Sequence, residues 1–130
     1  MNDDTTPPRA TLIERRKSIM VIDDEDAVRV ALDRILRAHG HHVTLAVCGE
    51  DALIKLRAGY VPDLIFVDLL MPRMTGDVFI AEVRKFHPWS EIPIVVISAL
   101  EAANPPPWLA RLDKPFGIHD VLDAVTRYAK

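Results

Sequence analysis

The chain is poor in the residues that staple small domains. Its single cysteine, Cys48, cannot close an intramolecular disulfide, which fits a reducing compartment. Only five glycines occur in 130 residues, and none forms a glycine-rich loop followed by lysine, which argues against ATP as a substrate. No apolar run approaches the ~18 residues a membrane span needs; Leu64-Ile65-Phe66-Val67 is typical of the longest. An excess of basic charge is missing too. Sixteen basic against 19 acidic side chains leave −3, so no broad basic field invites nucleic acid. Met1-Asn2-Asp3-Asp4 lacks the basic-then-apolar order of a signal peptide. What is present, 49% hydrophobic and 27% charged residues, is the composition of one soluble globular domain. A cytoplasmic location is expected, and the length needs no metal or disulfide to fold.

Residues 1–17 stand apart, with two prolines, four basic and three acidic side chains, and little aliphatic content beyond Leu12 and Ile13. Such a segment is expected to be a mobile, dispensable arm, with the domain running over 18–130. From Ser18 onward, strand-length apolar runs at 19–22, 43–47, 64–67 and 94–97 alternate with helical patterns. Three of the four are continuously apolar, as strands covered on both faces require, which predicts a parallel sheet. Val28, Leu32, Ile35 and Leu36 keep helical spacing before Gly40, as do Ala52, Leu53 and Leu56 before Gly59. Val78, Phe79, Val83 and Phe86 do so before Pro88, and Ile118, Val121, Leu122 and Val125 close the chain. With a short strand near Leu112, the order predicts a doubly wound α/β sandwich with right-handed crossovers.

In such sheets the functional site lies beyond the C-terminal strand ends. Asp23 and Asp24 follow the first strand, Asp68 the third, Ser98 the fourth and Lys114-Pro115-Phe116 the last. Asp26 is expected to cap the first helix. One rim thus gathers carboxylates, a hydroxyl and an ammonium. The ordered set Asp23-Asp24, Asp68 with Leu69-Leu70-Met71-Pro72 and Gly76, Ser98-Ala99 and Lys114-Pro115-Phe116 resembles the receiver domain of two-component response regulators. The resemblance covers 18–130 and implies a flavodoxin-like (βα)5 sandwich of the CheY-like superfamily, with a five-stranded parallel sheet.

Clustered carboxylates do not coexist ionised unless a cation joins them, and an all-oxygen donor set suits Mg²⁺ better than zinc. The resemblance implies that Asp24 and Asp68 ligate Mg²⁺ with the Leu70 backbone carbonyl, while Asp23 holds a metal-bound water. Asp68 is the implied nucleophile and phosphoacceptor, Ser98 and Lys114 the groups that bind the phosphoryl oxygens. Pro115 is the implied turn residue, with a cis Lys114–Pro115 bond. Other clusters offer less. His39, His41 and His42 flank Gly40 at a spacing that suits no closed zinc site, Cys48 reads as a small core residue, and Trp89 as loop packing.

The chain departs from the family between Ser98 and Lys114. Only 15 residues intervene, and Pro105-Pro106-Pro107 forbids helical hydrogen bonding, so the fourth helix is expected to be shortened or absent. The family's switch aromatic falls on Arg111, with Trp108 and Phe116 as substitutes. Leu70 and Leu100 stand where an attacking water would be oriented, so self-dephosphorylation is expected to be slow. The leading expectation is a stand-alone, non-enzymatic receiver acting by protein contact. It would take its phosphoryl group from a sensor histidine kinase or histidine phosphotransfer protein, without contact to nucleic acid or membrane. The rivals are a phosphorylation-independent interaction module and an aspartyl-phosphate phosphatase. Leu70 speaks against the latter, because it occupies the position of the second acid.

Overall fold

The computed structural model describes residues 16–99 and 110–130. Its elements are β1 (Ser18–Ile22), α1 (Asp26–Ala38), β2 (His42–Ala46), α2 (Gly49–Arg57), β3 (Leu64–Asp68), α3 (Gly76–Val83), β4 (Ile94–Ala99), β5 (Arg111–Lys114) and α4 (Ile118–Tyr128). The five strands form one parallel sheet in the order β2-β1-β3-β4-β5. Among the described residues no helix is long and apolar enough to cross a membrane.

The continuous apolar runs become central strands because each face of the sheet has its own core. Met20, Ile22, Ile65, Val67, Ile94 and Val96 face α2 and α3, packing on Leu53, Leu56, Phe79 and Val83. Ile19, Val21, Leu64, Phe66, Val95 and Ile97 face α1 and α4, packing on Leu32, Leu36, Val121 and Val125. Phe66 is among the largest side chains with no exposure at all. Phe66→Ala should cost about 3–5 kcal/mol, a third or more of a typical domain's stability, read as a lowered denaturation midpoint in urea.

Gly40 (φ 87°) and Gly59 (φ 105°) take left-handed turns just past α1 and α2, the positions their sequence spacing predicts. Two boundaries differ from the sequence reading. Asp26 does not cap α1; Glu25 occupies the N-cap without a side-chain cap bond, and Asp26 pairs with Arg29 one turn on. The chain is already held by Asp23, whose Oδ1 accepts from Glu25 N–H (2.9 Å) and whose carbonyl accepts from Arg29 Nη1 (2.6 Å). Likewise α3 stops at Val83, short of Phe86. Arg84 turns away to donate to the carbonyls of Ile92 (2.7 Å) and Ser90 (3.1 Å). Phe86, 56% exposed, stands edge-on to Trp89 with centroids 6.0 Å apart.

Eleven residues connect β4 to β5, near the minimum of about 10–12 for a parallel crossover. The expectations for the N-terminal arm up to residue 15, for Leu100 and for the segment around Trp108 lie outside the described residues. At the N-terminal pole of the sheet, Asp63 joins the two ends of the described domain. Its Oδ2 accepts from Ser18 N–H (2.8 Å) and its carbonyl from Lys130 N–H (3.2 Å), while the Lys17 ammonium donates to the Lys130 carbonyl.

Candidate functional site

β1 and β3 are neighbours at the point where the chain's winding reverses, so their C-terminal ends flank the crevice of a doubly wound sheet. Asp68 is the last residue of β3 and Asp23 follows β1 directly; both are buried. Asp68 Oδ1 accepts from Leu70 N–H (3.2 Å). Lys114, ending β5, reaches across β4 and places Nζ 3.9 Å from Asp68 Oδ2, 3.5 Å from Asp23 Oδ2 and 3.3 Å from Glu25 Oε1. The Lys114–Pro115 bond is cis. Ser98 is buried between them on β4, its hydroxyl turned to the Ala99 carbonyl (3.2 Å). Asp68, Ser98, Lys114, Glu25 and Leu70 line a cavity of about 100 Å³, roughly three water volumes. That is room for a small tetrahedral anion.

The charge balance of this crevice is adverse. Asp23, Glu25 and Asp68 each bring a carboxylate oxygen within 4.8 Å of the others, against one ammonium. Asp23 Oδ2 is buried without a hydrogen-bond partner. Burial first, then the Asp23 charge, push the Asp68 carboxyl up to about 7 against the pull of Lys114. Burial also raises the Asp23 carboxyl. Burial works against the Lys114 ammonium, yet Asp23, Asp68 and Glu25 hold its pKa above the usual lysine value. The buried Asp23 oxygen without a hydrogen-bond partner, beside the buried Asp68 carboxylate, offers the oxygen donors a hard divalent cation takes, while Glu25 is engaged by Lys114. The residues fit one.

Most of the side chains singled out from the sequence meet here, with one shift in cast. Asp24 is exposed, outside the tight trio, although its charge still raises Asp23 and Asp68. Glu25, exposed as well, reaches Lys114 instead, and sequence reasoning missed it. Only its membership of the acidic run 23–26 marked it, and a run does not tell which side chains turn inward. Leu70 is exposed at the rim, while Arg111 pairs with Asp113 (3.2 Å) at the far end of β5. Phe116 packs on the core under α4. His39, His41 and His42 lie at the opposite pole, where His41 Nδ1 accepts from Lys17 N–H (3.1 Å). Cys48 is half-buried as the N-cap of α2, its sulfur accepting from Asp51 N–H (3.4 Å), rather than a core residue.

The family model for the response regulator receiver domain matches residues 19–106, which carry Asp23, Asp24, Asp68 and Ser98. The chain belongs to that family. A probable transcriptional regulator of Porphyra purpurea, ycf27, is 37% identical over 86 residues, covering 66% of this chain and 34% of the relative. Transcriptional regulatory protein AfsQ1 of Streptomyces coelicolor is 37% identical over 82 residues, 63% of this chain and 35% of the relative. The receiver thus spans about a third of these curated relatives. The chemotaxis response regulator CheY4 of Vibrio cholerae superposes with a TM-score of 0.77 at 25% identity, over 87% of this chain and 98% of that one.

The receiver's rim is also shaped by a close backbone approach. Gly76 opens α3 against the chain leaving β3, its N–H donating to the Leu69 carbonyl (2.9 Å). A Cβ there would stand 2.6 Å from the Asp68 carbonyl oxygen and 2.9 Å from Leu69 Cα. Neither neighbour is a flexible side chain, so the added methyl must displace the Asp68 backbone. Gly76→Ala should cost about 1–3 kcal/mol by urea denaturation, with Asp68 and Leu69 amide resonances shifted most.

Proposed function

We propose that this receiver accepts a phosphoryl group on Asp68, in a Mg²⁺-dependent reaction, from a sensor histidine kinase or histidine phosphotransfer protein. The observation that carries the reading is a buried carboxylate at the end of β3, opening into an anion-sized cavity opposite Lys114. In the transfer an Asp68 oxygen attacks phosphorus as the bond from phosphorus to the donor's imidazole nitrogen breaks. The imidazole leaves with the electron pair, and Asp68 becomes an acyl phosphate.

Asp68 with the Leu70 carbonyl would hold Mg²⁺, joined by Asp24 once that exposed side chain turns toward the crevice, and Asp23 would hold one of the ion's waters. The ion would supply the positive charge that keeps Asp68 ionised and screens the incoming phosphate. Lys114 then meets one equatorial oxygen as a point charge. Ser98 meets another once its hydroxyl leaves the Ala99 carbonyl. The chain is a phosphoacceptor in this scheme rather than an enzyme with turnover. Leu70, two residues beyond the nucleophile, has no acid to offer, which disfavours an aspartyl-phosphate phosphatase. Retention of Asp68, Lys114 and Ser98 in one crevice disfavours a module that has lost phosphotransfer. The output is a changed surface offered to another protein.

Beryllofluoride, a stand-in for the phosphoryl group, provides the test. Calorimetry should show one beryllofluoride bound per chain with Mg²⁺ and none after chelation. Metal-independent binding, or none at all, would overturn the reading.

A further inference from the structure

The proposed function leaves one contact unexplained, the closest that Lys114 makes. Its Nζ lies nearer to Glu25 Oε1 (3.3 Å) than to Asp23 Oδ2 (3.5 Å) or Asp68 Oδ2 (3.9 Å). Resting on the phosphoacceptor reading, we propose that Glu25 is a resting-state latch on Lys114. It competes with the phosphoryl group for the ammonium and so sets how readily the site is loaded.

The geometry separates Glu25 from the other two acids. Asp23 and Asp68 are fixed, buried, with one oxygen each accepting from a backbone N–H. Glu25 has no such tie. Its side chain is 62% exposed, and its Oε1 meets Lys114 across 89 residues of sequence, from the N-cap of α1 to the end of β5. A flexible, solvated carboxylate can let go of an ammonium at low cost, which two buried ones cannot. Glu25 also lines the cavity from which an anion must approach. When an anion occupies that cavity, Lys114 has more donors than Glu25 needs, but two anions cannot share one point charge at full strength. Glu25 therefore swings outward as the phosphoryl group takes its place. The latch joins the start of α1 to the β5–α4 turn when the site is empty and releases them when it is filled.

Three proteins decide it: wild type, Glu25→Gln and Glu25→Gln in a Lys114→Ala background. At saturating Mg²⁺, Glu25→Gln should bind beryllofluoride about two- to fivefold more tightly, the range of an exposed ion pair. Its Mg²⁺ affinity without fluoride should change by no more than about threefold. In the Lys114→Ala background the same substitution should bring no gain, because the partner of the latch is gone. Unchanged or weaker beryllofluoride binding by Glu25→Gln would overturn the proposal. So would a tenfold or greater loss of Mg²⁺ affinity, which would make Glu25 a metal ligand, or an equal gain without Lys114, which would make it a general repulsive charge. Wild-type protein that takes up no beryllofluoride overturns the phosphoacceptor reading and the latch with it.

Discussion

Asp68→Asn should take up no phosphate from a small acyl-phosphate donor under conditions that load the wild type fully. Mass spectrometry should show one added phosphoryl group on the wild type and a signal about 100-fold lower or absent in the variant. The amide matches the carboxylate in shape and can still accept from Leu70 N–H through its oxygen, so the fold is not the variable. What is lost is the nucleophile, because the amide oxygen lacks the negative charge that attacks phosphorus. The other acids in the crevice do not substitute. Asp23 is held by the Glu25 N–H beneath the rim, and Glu25 is set on the Lys114 side. Label that persists on another residue in the variant would move the acceptor site. Removing Mg²⁺ from the wild type should stop uptake as completely as the substitution does.

The same substitution should stabilise the metal-free protein, and the sign depends on pH. Asp68 titrates near 7 in the folded chain, against about 3.9 when unfolded. Between those values the folded state binds more protons than the unfolded one, so stability falls as pH rises across the window. The contribution is whole below about pH 4 and is gone once the pH passes 7. Asp23 shifts the same way. At pH 8 Asp68→Asn should therefore melt higher than wild type by on the order of 2 kcal/mol, about 8 °C for a domain of this size. At pH 4 the two should melt together. Mg²⁺ should raise the wild type at pH 8 and do far less for the variant. A wild-type melting temperature flat from pH 5 to 8 would contradict this charge balance.

How legible was this in the sequence? The central strands were, because a parallel sheet buried on both faces leaves runs such as 64–67 with no polar residue to blur them. The acidic rim was legible for the same reason: a charge after such a run stands at a strand end. The limits came where a local rule met a tertiary competitor. Asp26 is a good cap by composition, but Asp23 and Arg29 had already fixed the entry to α1. Phe86 keeps helical spacing, yet Arg84 finds carbonyl acceptors on the 89–92 turn and α3 ends. In the run 23–26, four acids look alike until the fold buries Asp23, leaves the other three exposed and brings Glu25 alone of those three onto Lys114. That choice is made by partners distant in sequence, such as Lys114, which a run of acids does not name.

The Asp63 clasp has an architectural consequence. It gathers Ser18 and Lys130 at one pole, and β1 runs five residues from there to the acidic rim, about 17 Å. The working face therefore points away from the pole that holds Ser18 and Lys130. A fluorophore, a resin tether or a fused reporter joined at Ser18 or Lys130 sits at that pole and leaves the crevice open. Joining Ser18 to Lys130 would cross only that pole, which makes residues 18–130 a natural subject for circular permutation, with the new ends cut into an exposed turn such as that at Gly59.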